Sequence, residues 1–152
     1  MGFNRLTWGV KASFRGYVQA VEGTVTLADG ATQADDGTFA FNALPGGDLI
    51  IASDGTASGS ARFQGSVAFD AHGGMLRSTL SELGIEVGEK GLVLTANEAP
   101  MNKGRCVIAD LGPAEIGADG KVTMGAVITL DGMFQIADNY PPGTVLDPVR
   151  LE

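Results

Sequence analysis

The chain has one cysteine and one histidine among its 152 residues, and that scarcity removes several kinds of chemistry at once. Cys106 cannot form an intramolecular disulfide, and its place in the apolar run Cys106-Val107-Ile108-Ala109 reads as a buried structural thiol. A zinc site would have to lean on carboxylates around His72, and no spacing recommends one. A Ser-His-Asp hydrolase would need His72 as its base, yet no serine stands in a nucleophile elbow. Basic residues are also few. The 10 Lys+Arg against 18 Asp+Glu leave a net charge of −8, without the basic patch on which nucleic-acid binding rests. There is no Gly-rich phosphate loop and no run of the ~18 apolar residues needed to cross a bilayer. The opening Met1-Gly2-Phe3-Asn4-Arg5-Leu6 enters the folded pattern without a secretory leader, and Leu6 stands where myristoylation wants Ser or Thr. The expectation is a chain that stays in the cytoplasm, or a secreted or cell-surface one whose signal peptide was removed.

What is present is the composition of one folded domain spanning residues 1–152, with 44% hydrophobic and 18% charged residues and no low-complexity tract. One helix is expected, near Thr7 to Ala20. Thr7 can cap it, and Val10, Phe14, Tyr17 and Val18 fall on one apolar stripe at i, i+4, i+7, i+8. After Glu22 short strands alternate with turns such as Asp29-Gly30, Pro45-Gly46-Gly47 and Asp54-Gly55, served by 23 glycines. Ala61, Phe63, Val67 and Phe69 alternate with polar residues as one strand. Further strands are expected through Leu76 to Leu80, Ile85 to Val87, Leu92 to Thr95, Arg105 to Leu111 and Val122 to Leu130, before a closing loop at Tyr140-Pro141-Pro142-Gly143-Thr144. The fold class is therefore mainly β, an antiparallel β-sandwich or barrel-like domain with one N-terminal α-helix.

Two residues are unusual for their places. Tyr17 lies on the apolar stripe, where a buried phenol must find a hydrogen-bond partner, and His72 stands at the glycine-rich reversal His72-Gly73-Gly74. A tyrosine oxygen is a hard ligand suited to ferric iron, and a histidine hydrogen-bonded to it supplies the support that a phenol of pKa near ~10 requires. The same spacing also describes a core tyrosine and a histidine in a tight turn. For an anionic ligand, Lys11, Arg15, Arg62 and Arg77 are the available counter-charges.

The segment Leu6-Thr7-Trp8-Gly9-Val10-Lys11-Ala12-Ser13-Phe14-Arg15-Gly16-Tyr17-Val18 closely resembles the opening of the HtaA domain, a haem-binding module of actinobacterial haem-uptake proteins. The likeness continues in Gly65-Ser66-Val67-Ala68-Phe69-Asp70-Ala71-His72-Gly73-Gly74-Met75-Leu76 and returns in Pro142-Gly143-Thr144-Val145-Leu146-Asp147-Pro148-Val149. The resemblance implies a haem-binding protein in which Tyr17 ligates haem iron and His72 hydrogen-bonds it, with Phe134 and Tyr140 covering the haem. Phe14 and Arg15, beside Tyr17 on the helix, complete the expected cofactor-binding set, and Arg15 or Lys11 would meet a propionate. The partners implied are a haem-transfer protein or a second copy of the chain. An alternative use of the same pocket is a cofactor-independent isomerase, hydratase or lyase acting on a flat apolar molecule. Tyr17 and His72 would then be its acid/base pair, and Asp70, two residues before His72, would orient the imidazole if the strand runs on to it. A domain retaining only the fold is the third reading.

Overall fold

The computed structural model describes residues 3–98 and 104–152. Antiparallel strands dominate it. The long sheet runs in the order Thr32–Gln33, Phe39–Asn42, Arg5–Trp8, Val145–Leu151, Val122–Ile128, Arg105–Leu111, Leu92–Asn97, Gly84–Val87, Ser60–Arg62, with Glu115–Ile116 flanking Val122–Ile128. Its two ends meet. Just beyond Phe39–Asn42 and Ser60–Arg62, Ala43 bridges Phe63, Leu44 N–H donates to Arg62 O at 2.7 Å, and Gln64 N–H donates to Asn42 O at 2.8 Å. The sheet thus closes on itself as a barrel, which removes the exposed edges that an open sheet would leave. Alternation along each strand fills the interior with Leu6, Trp8, Phe39, Phe41, Leu94, Ile108, Met124 and Leu151, all buried.

A three-stranded sheet, Thr24–Ala28, Ser66–Ala71 and Leu76–Ser81, stands beside the barrel and is joined to it by Phe63 N–H to Leu83 O (2.8 Å) and Glu82 N–H to Gly65 O (3.0 Å). A small hairpin pairs Ile50–Ile51 with Ala57–Ser58. Among the described residues there are two α-helices, α1 (Ala12–Ala20) and α2 (Leu130–Gln135).

Four expectations change. Arg5–Trp8 is a strand rather than the first turn of the helix, with Leu6 paired to both Phe41 and Leu151. Burial of Leu6 and Trp8 follows a period of two, and Val10 at φ 62° breaks the chain before α1 begins. The Ala61–Asp70 stretch is two strands in two sheets, because Gly65 turns the chain at φ 122° after Phe63 has closed the barrel. The strand from Val122 ends at Ile128, where the Thr129 hydroxyl accepts from Gly132 N–H and caps α2, a second helix that the sequence reading lacks. Finally, the closing loop is followed by the strand Val145–Leu151. Pro148 fits inside that strand because the register shifts opposite Met124 and Ala126, where no ladder N–H is required of it.

Candidate functional site

Helix α1 buries Phe14 and Val18 of its apolar stripe. Phe14 meets Phe69 edge-on at 4.9 Å between ring centroids and Tyr140 at 6.0 Å, so it belongs to the core beneath the site. Tyr17 lies on the same stripe but is 44% exposed. The helix has no side-chain cap of its own at Lys11; its first free N–H, on Ala12, is taken at 3.0 Å by Oδ1 of Asp147. Arg15 is committed nearby. Its Nη1 donates to Asp147 Oδ2 at 2.7 Å and to Gly9 O at 2.6 Å.

His72 comes from the other element. The strand Ser66–Ala71 stops at Ala71, and His72–Gly74 form a single 3-10 turn in which His72 (φ 55°) and Gly73 (φ 64°) adopt the left-handed region. That reversal sends the imidazole toward α1, where His72 Nε2 is hydrogen-bonded to the Tyr17 hydroxyl, with ring centroids 5.7 Å apart and an interplanar angle of 54°. Two exposed residues 55 positions apart in the chain are thus joined side chain to side chain.

The other candidates take different places. Tyr140 packs partly buried on Phe14, with Lys11 Nζ 5.8 Å above its ring, and Lys11 also donates to Val145 O at 2.9 Å. Phe134 projects from α2 and is 69% exposed; α2 itself is tied to the site's sheet by the Ser78 hydroxyl, which donates to Gln135 O at 2.7 Å. Met75, just past the His72 turn, is 90% exposed. Asp70 forms an ion pair with Arg77 at 3.3 Å, and the condition for it to orient His72, a strand continuing to that residue, is not met. Arg62 belongs to the barrel, in the strand Ser60–Arg62. Cys106 is half-buried, and burial pushes its thiol above the usual range.

The Tyr17–His72 pair is therefore an open surface rather than a cavity. A cleft of about 500 Å³ does lie against α1, but on its other flank, among Arg15, Gln19, Gln33, Asp36 and Gly37. Among the described residues no cluster of His, Cys, Asp and Glu could hold a metal ion, and no helix is long and apolar enough to cross a membrane.

Three solved structures share this architecture. The C-terminal domain of HtaA from Corynebacterium glutamicum is 28% identical with a TM-score of 0.74, covering 99% of this chain and 96% of that one. The N-terminal domain of the same protein is 26% identical with a TM-score of 0.74 and the same coverage. HtaB from that organism, described as a heme binding protein, is 17% identical with a TM-score of 0.68, covers 98% of this chain and 91% of its own, and shares the fold. Among curated proteins none matches. The family model HtaA, described as Htaa, matches residues 4–152, from the first barrel strand to the last: the chain belongs to the HtaA family.

Proposed function

We propose that this protein binds ferric haem, with the Tyr17 oxygen as axial ligand and His72 hydrogen-bonded to that oxygen. The observation that carries the reading is the Tyr17–His72 hydrogen bond on an exposed face. The donor set fits the group. A phenol oxygen is a hard ligand for ferric iron, and an imidazole hydrogen-bonded to it holds it in place. Large apolar surface stands exposed at Met75 and Phe134, as a flat apolar ligand would use. Membership of the HtaA family and the shared fold of a heme binding protein point the same way. When bound, haem would bring its iron to Tyr17; the protein's part is to hold the phenol, to donate to or accept from it through His72, and to shield one apolar face.

A single displaceable ligand at an open surface suits binding and hand-over. The acid/base alternative has less to support it, because the strand carrying Asp70 stops at Ala71 and Asp70 is paired with Arg77. Hemin titrated into the purified protein should give a shifted Soret band. Tyr17→Phe should abolish that spectrum, and His72→Ala should weaken binding by about 10–100-fold, the usual cost of losing a partner behind a metal ligand. A wild-type protein that leaves the hemin spectrum unchanged would overturn the reading.

A further inference from the structure

We propose that Asp147 is a positioning residue for Tyr17: from the last strand it sets the placement of α1, and with it the meeting of the Tyr17 hydroxyl and His72. This rests on the role assigned to Tyr17 above. Helix α1 has nine residues, Gly16 in its interior, no acidic residue in its first turn and no side-chain cap. A helix that short has little stability of its own, so its orientation comes from what grips it.

Asp147 holds both the start of α1 and the residues leading into it, through its backbone and both carboxylate oxygens. Its N–H donates to Val10 O at 2.9 Å and its carbonyl accepts from Trp8 Nε1 at 2.8 Å, which fixes its backbone against the residues leading into α1. Its Oδ1 takes the Ala12 N–H, and its Oδ2 meets Arg15 Nη1. Both side chains of the ion pair are largely shielded, at 19% and 24% exposure, so the contact is screened less than a surface pair. Gly9 leaves the necessary space. A Cβ there would overlap Arg15 Nη1 and Asp147 Oδ2, and those side-chain ends would have to shift.

The consequence for the site is geometric. A tyrosine oxygen lies roughly 8 Å from the axis of its helix, so a rotation of about 10° moves it by about 1.4 Å, enough to break a hydrogen bond. No residue of the clasp touches His72 directly, and its effect passes through α1.

His72 is the only histidine of the chain, which provides a readout that does not involve haem. In the apo protein the imidazole ¹⁵N shifts of His72 report its hydrogen bond, and Tyr17→Phe supplies the value for a broken one. Asp147→Ala and Gly9→Ala should each move the Nε2 shift at least halfway to that value. Asp147→Asn, which keeps an acceptor for Ala12 but loses the charge opposite Arg15, should move it less. Glu152→Gln, just past the end of Asp147's strand, alters the ion pairs to Arg5 and Lys121 and should leave it unchanged. Hemin release from Asp147→Ala should be about tenfold faster than from wild type. Wild-type Nε2 shifts in Asp147→Asn and Gly9→Ala, with the fold retained by circular dichroism, would overturn the proposal even if Asp147→Ala fails to fold. A wild type that binds no hemin but shows these shifts would overturn the haem reading and leave the positioning role standing.

Discussion

Phe14 and Tyr17 occupy one apolar stripe and have opposite fates, and the difference defines the site. Phe14 is buried against Phe69 and Tyr140, whereas the Tyr17 hydroxyl reaches out to an exposed histidine. Met75 and Phe134, the most exposed of the large apolar side chains among the described residues, carry little folding energy where they are, because burial is what stabilises. Phe134→Ala should therefore change stability by no more than about 0.5 kcal/mol, as exposed substitutions do, while Phe14→Ala should cost about 3–5 kcal/mol. Under the haem reading Phe134→Ala should nonetheless release hemin several-fold faster, measured by stopped-flow transfer to an apoglobin; an unchanged rate would remove Phe134 from the site. At this scale Tyr17 and His72 were legible, since residue type and the blocks around them single them out. Asp147 was not. Its contacts to Arg15, Ala12 and Trp8 span 132, 135 and 139 positions, and no local pattern reports a contact made only by the closure of the fold.

Among the elements, the strands were legible where side chains alternate and the junctions were not. Alternation marks Ser66–Ala71 and Leu76–Ser81, which carry the site, but the stripe through Val10 and Phe14 also admits a helix beginning too early. Pairing on both edges makes Arg5–Trp8 a strand, and only the tertiary partners reveal that. Turns are better determined locally. In the hairpin turns at Asp36 and Asp54, the carboxylate accepts from the hydroxyl of the threonine two residues on, at 2.6 and 2.7 Å, and from its N–H at 3.0 Å in each case. The side-chain hydrogen bond first, and then the backbone one, hold both carboxyls below their ordinary range. The sign follows from linkage. A carboxyl whose folded pKa is depressed stabilises the fold above its unfolded pKa, and that contribution is lost as pH falls through the folded value. Thr38→Val and Thr56→Val should flatten the loss of stability below about pH 4, the ordinary carboxylate range. Urea unfolding of each variant from neutral to acid pH checks this, and an acid limb as steep as the wild type's would count against it.

At the scale of the whole molecule, the barrel closes through one short stretch, and that stretch also launches the sheet bearing His72. Phe63 is the bridge residue, fully buried, and its N–H binds Leu83 O; two residues later Gly65 turns the chain into Ser66–Ala71. The sequence shows an all-β chain with turns at regular spacing, yet nothing in it says which strands meet to close the sheet, because closure depends on register summed over every pair. Phe63→Ala removes a fully buried aromatic at the seam and should cost about 3–5 kcal/mol, a large share of the stability of a domain this size. If closure and site form one cooperative unit, the urea midpoint should fall with no change in slope, and hemin affinity measured well below the transition should stay at the wild-type value. A shallower slope, or a His72 signal that melts before the barrel does, would instead show that the three-stranded sheet unfolds on its own, and that Tyr17 and His72 are held together by the clasp at Asp147 rather than by the barrel as a whole.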